Sequence, residues 1–337
     1  MSEHQLYSRA PIVYARSALQ RAFLVPAAAK PSKYIFSANR GGYASAMCLW
    51  DGANLSQLDS VALPDYGLCC DFNNDGSLVC RGFSAAPYFQ LLAWDGANLS
   101  ILDNYTPAWW VRGCSFDPTS EFIAISQHQT NCLLMLQWDG TSLTLKHQFA
   151  GISWGKRCHF DPTGSFVSLG SGTSPNFHIF SWNGTILALK DTYGPMGDVL
   201  DCRFNYDGTL IAVAHASPPY FTLLDWDGTN LTLADTYTLG ALGKCADFSP
   251  DGRFIAVGQQ AATGLLILEW DGTNLTLKTS TATPPVPEGV KWSPNGLMLA
   301  IAASGGQYLY LYGWDGTSLT LLDTLNVLAT PFDVAWY

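Results

Sequence analysis

The chain has little charge and no long apolar run. Asp, Glu, Lys and Arg make up only 13% of its 337 residues, and 27 acids against 17 bases leave a net charge of −10. A surface of that sign repels phosphate, which argues against a nucleic-acid partner. No stretch approaches the roughly 18 apolar residues of a membrane span, so no membrane insertion is expected. The nine cysteines include no Cys-x-x-Cys pair. Four of them, Cys70, Cys114, Cys158 and Cys202, share one phase of a repeat, and equivalent positions on successive units do not meet at the ~5.5 Å Cα separation of a disulfide. They read as small buried hydrophobes in a reducing compartment. The six histidines lack metal-ligand spacing, and there is no Gly-x-Ser-x-Gly elbow and no phosphate loop. No cofactor and no metal are expected. A convincing signal peptide is also missing: Ala27-Ala28-Ala29 imitates a cleavage site, but only Ala22-Phe23-Leu24-Val25 precedes it as an apolar stretch.

What the chain does have is a period. Trp50, Trp94, Trp138, Trp182, Trp226, Trp270 and Trp314 stand 44 residues apart with no insertion or deletion, each followed by Asp-Gly or Asn-Gly. A fixed period of this size marks a repeat architecture. Within residues 244–280, "KCADFSPDGRFIAVG" sets two β-rich runs around a Pro-Asp-Gly turn. "LLILEW" is a third run, and Asp271-Gly272 joins it to a fourth, "NLTLK". These are strands A, B, C and D of one unit. Strand C is apolar on both faces. Leu268, Leu224 and Leu136 lie on the Trp face, and Met47, Leu91, Met135, Ile179, Leu223, Ile267 and Leu311 lie on the other. A sheet apolar on both faces is sandwiched between neighbours. Seven such four-stranded antiparallel blades close into a β-propeller.

The ends show how the ring closes. "PFDVAWY" (331–337) is a strand A with nothing after it, while "KYIFSA", "SAMCLW" and "NLSQL" are strands B, C and D with no strand A before them. The C-terminal residues therefore supply the inner strand of the first blade. This gives an all-β, seven-bladed β-propeller over 30–337 and an N-terminal arm over 1–29. Arg9, Arg16 and Arg21 make that arm basic in an acidic protein, which suits an anchor to an acidic partner surface.

The Trp-Asp at the end of strand C resembles the WD-repeat class, without that class's Gly-His dipeptide. The text is more similar to propeller repeats of phage and prophage structural proteins, through "IAVAHASPPYFTLLDWDG" (211–228), "DFSPDGRFIAVG" (247–258), "SAAPYFQLLAWDG" and "SPNFHIFSWNG". That resemblance implies a virion component made in the host cytoplasm, such as a tail or capsid appendage. Its partners would be other virion proteins through the arm and a host-surface protein or glycan through the loops.

Three places in the repeat could carry chemistry. Asp51, Asp95, Asp139, Asp227, Asp271 and Asp315 sit in the C–D hairpins, where they read as turn formers rather than a calcium rim. Asp71, Ser115, His159, Arg203, Asp247, Lys291 and Ala335, one before each strand A aromatic, line the channel; mixed signs suggest a self-neutralising lining rather than a catalytic cluster. In the loop between strands D and A, Tyr66, Trp110 and Trp154 share one phase on consecutive blades, with Trp109 beside them. Arg112 and Lys156 follow two residues on, and Arg157 is next. The remaining blades carry Asp198, Leu242, Val286 and Thr330 there, so the aromatics form an arc. Such rings either pack under the loops or form an exposed aromatic and cationic patch for a glycan or protein partner. The patch is taken as the candidate site, with Tyr88, Tyr220 and Tyr308 of the B–C loops as secondary members. The expected function is a non-enzymatic structural and binding module of a phage particle. The alternatives are a propeller hydrolase or lactonase with acids and His159 around the channel, and a cytoplasmic scaffold similar to WD-repeat proteins.

Overall fold

The computed structural model describes residues 33–40, 44–304, 308–327 and 329–337. The arm, with Arg9, Arg16 and Arg21, lies outside them. The described residues form seven four-stranded antiparallel sheets. Blade 1 is β28 (Thr330–Trp336), β1 (Tyr34–Arg40), β2 (Ala44–Trp50) and β3 (Leu55–Ala62) in spatial order. Blades 2 to 7 occupy residues 67–105, 111–149, 155–193, 199–238, 243–281 and 286–326. The ring closes as expected: Ile35 pairs with Trp336, and Tyr34 and Tyr337 exchange backbone hydrogen bonds of 3.0 and 2.9 Å.

Both faces of each blade are buried against neighbours, as the two-sided apolar pattern requires. Ile35, Cys48 and Trp336 of blade 1 share a core with Leu309 and Leu311 of blade 7, while Phe36 and Met47 pack with Phe72, Val79 and Leu92 of blade 2. The repeated Trp has a specific task. Its indole meets, edge to face, the first ring of strand B on the preceding blade: Tyr34–Trp94, Phe122–Trp182, Phe166–Trp226 and Phe254–Trp314, with centroids 5.1–5.5 Å apart. The hairpin aspartates are consumed by their own turns, as at Asp51, whose Oδ1 accepts from the Ala53 and Asn54 N–H groups.

Two sets of β-bulges organise the rest. In strand D, the bulge opposite Met47/Cys48 leaves Leu58 unpaired and re-aims Asp59 at the next blade. There Asp59 Oδ2 accepts from the Leu99 N–H at 2.7 Å. Asp103, Asp191, Asp235 and Asp323 repeat this strap on Leu143, Leu231, Leu275 and Leu55. The second set lies in the inner strands, where pairing skips Leu68, Arg112, Leu200, Lys244, Glu288 and Phe332, and in blade 4 both Lys156 and Arg157.

Candidate functional site

The skipped inner-strand residues meet at one mouth of the central channel. Leu68, Arg112, Lys156, Leu200, Lys244, Glu288 and Phe332 stand 44 residues apart in sequence and together line a cavity of about 300 Å³, joined by Arg40, Asp65, Tyr66, Ser84, Trp110 and Arg157. A bulge frees its extra residue from the ladder and turns the side chain, so seven bulges point seven side chains at one space. Every blade contributes.

The charges there divide by partner. Lys156 Nζ pairs with Asp198 at 2.9 Å and Lys244 Nζ with Glu288 at 2.8 Å, while Ser304 Oγ donates to the other Glu288 oxygen. Asp65 Oδ2 accepts from Ser84 Oγ at 2.9 Å. Arg40 lies over the rings of Tyr66 and Phe332, 5.1 and 5.6 Å from their centroids. Arg112 differs: its Nε is buried with no hydrogen-bond partner. Burial, then repulsion by Arg157 and Arg40, lowers its pKa, with Asp198 acting in the opposite sense. Among the described residues no ion pair engages Arg40 or Arg112.

Beneath the mouth, the channel is self-neutralised. Arg157 of blade 4 reaches Asp333 of the closing strand, Nη1 to Oδ2 at 2.6 Å, and both side chains are more than nine-tenths buried. The same Asp333 oxygen accepts the Cys70 N–H of blade 2. Glycines make room for this bridge. A Cβ on Gly113 would lie 2.8 Å from Arg157 Cα, and one on Gly289 would lie 2.9 Å from Asp333 Oδ1. Deeper, Lys291 pairs with Asp247 at 3.2 Å, and Asp71, Asp201 and Asp247 accept backbone N–H groups of Phe116, Ala246 and Trp292 on the adjacent blades. Arg203 Nη1 donates to His159 Nδ1 at 3.0 Å, which leaves the proton of the neutral ring on Nε2, 3.8 Å from Asp201 Oδ1. Burial, followed by the charges of Arg203, Lys291 and Arg157, holds the His159 pKa well below the ordinary imidazole value. The mixed-sign lining is therefore largely ion-paired or tied to backbone, with Arg203 Nε and His159 Nε2 left without a hydrogen-bond partner.

The aromatic arc rises from the same mouth. Trp109, Trp110 and Trp154 are 44%, 41% and 47% exposed, so they do not pack under the loops, and Tyr66 is exposed as well. His128 fills the gap between Trp110 and Trp154, its ring stacked 5.6 and 5.7 Å from theirs. Of the anticipated patch, Tyr66, Trp110, Arg112, Lys156 and Arg157 line the cavity, and Trp109 and Trp154 stand outside that lining. Tyr308 is exposed on blade 7 against Tyr310, whereas Tyr88 and Tyr220 pack half-buried against the cores of blades 2–3 and 5–6. Arg40, Asp65, Ser84, Lys244 and Glu288 escaped sequence reasoning. Reading the Arg112 phase round the whole ring exposes Lys244 and Glu288; no periodic signal marks Arg40, Asp65 or Ser84.

No protein-family model matches the chain, and no curated protein matches it. Solved structures share its fold. A protein of Bacteroides fragilis described as a candidate 6-phosphogluconolactonase superposes with a TM-score of 0.77 at 14% identity, covering 93% of this chain and 99% of that one. The periplasmic gluconolactonase of Pseudomonas aeruginosa gives 0.77 at 13%, covering 90% and 98%. The β-propeller domain of Cps50 (Swd1) from Myceliophteria thermophila gives 0.62 at 10%, covering 78% and 86%. The expectation of a non-enzymatic phage module is corrected by these likenesses: two of the three are to proteins described as lactonases, and at this identity what they share with the chain is the fold. The phage-like phrases lie on the strands and turns that build the ring, and a fold hosts many functions.

Proposed function

We propose that the chain is a lactonase-type hydrolase that opens the ring ester of a sugar acid at the channel mouth. The observation that carries this reading is Arg112: a guanidinium with a buried, unpartnered Nε, facing a cavity to which every blade contributes. Burying such a donor is costly unless a ligand completes it. The fold likeness to lactonases supports the same reading.

The chemistry needs little apparatus. Asp65, held through Oδ2 by Ser84, has Oδ1 available to take a proton from water as the water oxygen attacks the lactone carbonyl carbon. The carbonyl electron pair moves onto oxygen, where Arg112 opposes the developing charge. Collapse breaks the bond to the ring oxygen, which leaves as an alcohol with the proton returned from Asp65. The carboxylic acid so formed releases its remaining proton to solvent, and the resulting carboxylate meets Arg40 and Lys156. Glu288, with both oxygens engaged, positions Lys244.

The test is hydrolysis of glucono-1,5-lactone and its 6-phosphate, followed as acid release at constant pH. The wild type should hydrolyse at least one well above the spontaneous rate, and Arg112→Met should lose most of that activity. No acceleration of either lactone overturns the reading.

A further inference from the structure

The aromatic side of the mouth has properties that neither the fold nor the ester chemistry demands. Three indoles of one rim, Trp110 and Trp154 joined in a stack and Trp109 next to Trp110 in sequence, stay more than two-fifths exposed, although burying such rings is among the larger stabilising terms available to a fold. Blades 5, 6, 7 and 1 place Asp198, Leu242, Val286 and Thr330 at the same phase and still form the same ring. The rings are held in place. His128 locks Trp110 and Trp154 into one stack. Trp154 is in the left-handed region at φ 60°, a costly conformation for a bulky residue that persists only where its surroundings enforce it. The enforcement is visible: Trp154 donates its N–H to Gln129 O at 3.2 Å, and its carbonyl accepts from the Gly172 N–H at 2.9 Å. A Cβ on Gly172 would press 3.2 Å from Trp154 Cβ and Cε3. Strain held beside a cavity points to a ligand.

Size and position say which part of the ligand. The cavity, at about 300 Å³, is at the low end of small-molecule sites and suits one sugar ring. Trp110 belongs both to the cavity lining and to the stack. A second ring attached to the first is therefore led along Trp110 toward Trp154. Pyranose rings carry an apolar face of axial C–H groups that lies flat on an indole, with hydroxyls projecting at the edge, where the Lys156–Asp198 pair offers charged partners.

We infer that the Trp109, Trp110 and Trp154 rim is a second subsite for a glycosyl unit, and that the substrate is the lactone end of a disaccharide or longer saccharide. This rests on the hydrolase reading and narrows its substrate.

The experiment compares kcat/KM for the 1,5-lactones of gluconic acid and of cellobionic acid (a glucosyl-gluconic acid) in the wild type and in Trp154→Ala, Trp109→Ala and Trp154→Phe. The wild type should prefer the disaccharide lactone by about tenfold. Trp154→Ala should bring the two substrates to near equality, acting through the disaccharide lactone and leaving gluconolactone hydrolysis in place. Trp109→Ala should reduce the preference in the same sense, and Trp154→Phe should retain most of it. Thermal melting of each variant checks the ring itself. Equal kcat/KM in the wild type, or a preference that survives both alanine variants, overturns the second subsite and leaves the hydrolase reading standing. Failure to hydrolyse either lactone removes the hydrolase reading and the subsite with it.

Discussion

The mouth of the channel and its interior are built from the same inner strands, yet they treat charge differently. In the interior, Arg157, Lys291, Asp333 and Asp247 are paired, and the carboxylates also accept backbone N–H groups from neighbouring blades. At the mouth, Arg112 and Arg40 face open space without a carboxylate among the described residues. Arg81 sharpens the contrast within blade 2. It is fully buried, yet its Nε, Nη1 and Nη2 all donate, to Gln90 and to the carbonyls of Val61 and Ala62. Burial alone therefore does not mark a functional arginine, and neither does a missing partner alone, since Arg203 Nε in the interior also lacks one; Arg112 joins an unpartnered Nε to a place on the cavity wall. Interior charge holds blades together, and at the mouth Lys156 and Lys244 are paired as well, so that Arg112 and Arg40 are the cations left for something else.

Substitutions separate the two regimes, and the largest effect belongs to the interior. Asp333→Asn strands Arg157 as a buried cation and should cost about 3–5 kcal/mol of unfolding free energy in denaturant titration. A loss under 1 kcal/mol would mean the interior pair is not structural. At the mouth, Arg112→Met should leave the melting temperature unchanged or higher, because it removes an uncompensated buried donor. Lactone hydrolysis should fall on the order of 10²–10³-fold, as expected when an oxyanion partner is deleted. Reversed outcomes, with stability lost and activity kept, would dissolve the distinction.

Acidification gives a smaller contrast. Folded His159 stays neutral where an unfolded imidazole takes up a proton. Its contribution is therefore present above the ordinary imidazole pKa of about 6.5 and is lost as pH falls below it. Over pH 6 to 5 the wild type should lose up to about 1.4 kcal/mol more than His159→Gln. The difference between the two proteins isolates this group from the carboxylates Asp71 and Asp201, whose pKa values burial raises. Parallel pH profiles would show that His159 does not act this way.

The smallest effect lies at the outer straps. Asp103→Ala removes one carboxylate–amide bond to Leu143 and should cost about 1 kcal/mol. His147 and Thr279 occupy the strap phase at the two blade junctions where no strap forms. Thr279→Asp, aimed at the Leu319 N–H, should return about half that amount. No change in either variant would make the straps ornamental.

The ring could be read from sequence because its determinants repeat. Each Trp packs at the same position between blades, four of the seven against a ring on the preceding blade, the Asp-Gly turns repeat, and the orphan strand 331–337 fits one vacancy. The site was only half legible. Strict β alternation directs attention to Asp71, His159 and Asp247, which line the interior. The residues that reach the mouth are those left out of the ladder by bulges, and bulges have no period-two signature. Trp110 and Trp154, with Arg112 and Lys156 two residues on, were visible because they recur at one phase on consecutive blades. Lys244 and Glu288 lay in that phase but without an aromatic beside them. Asp65 and Ser84 are assembled only by the path of the D–A and B–C loops.

The shared first blade also sets a timetable for biosynthesis. β1, β2 and β3 leave the ribosome about 270 residues ahead of β28, which at ordinary elongation rates is on the order of 10–50 s. Throughout that interval the nascent chain carries a three-stranded sheet whose innermost edge is bare and ready to recruit a foreign strand. Cotranslational folding can complete six blades, but the seventh stays unsealed until β28 emerges, and that bare edge is the place where mispairing has its opening.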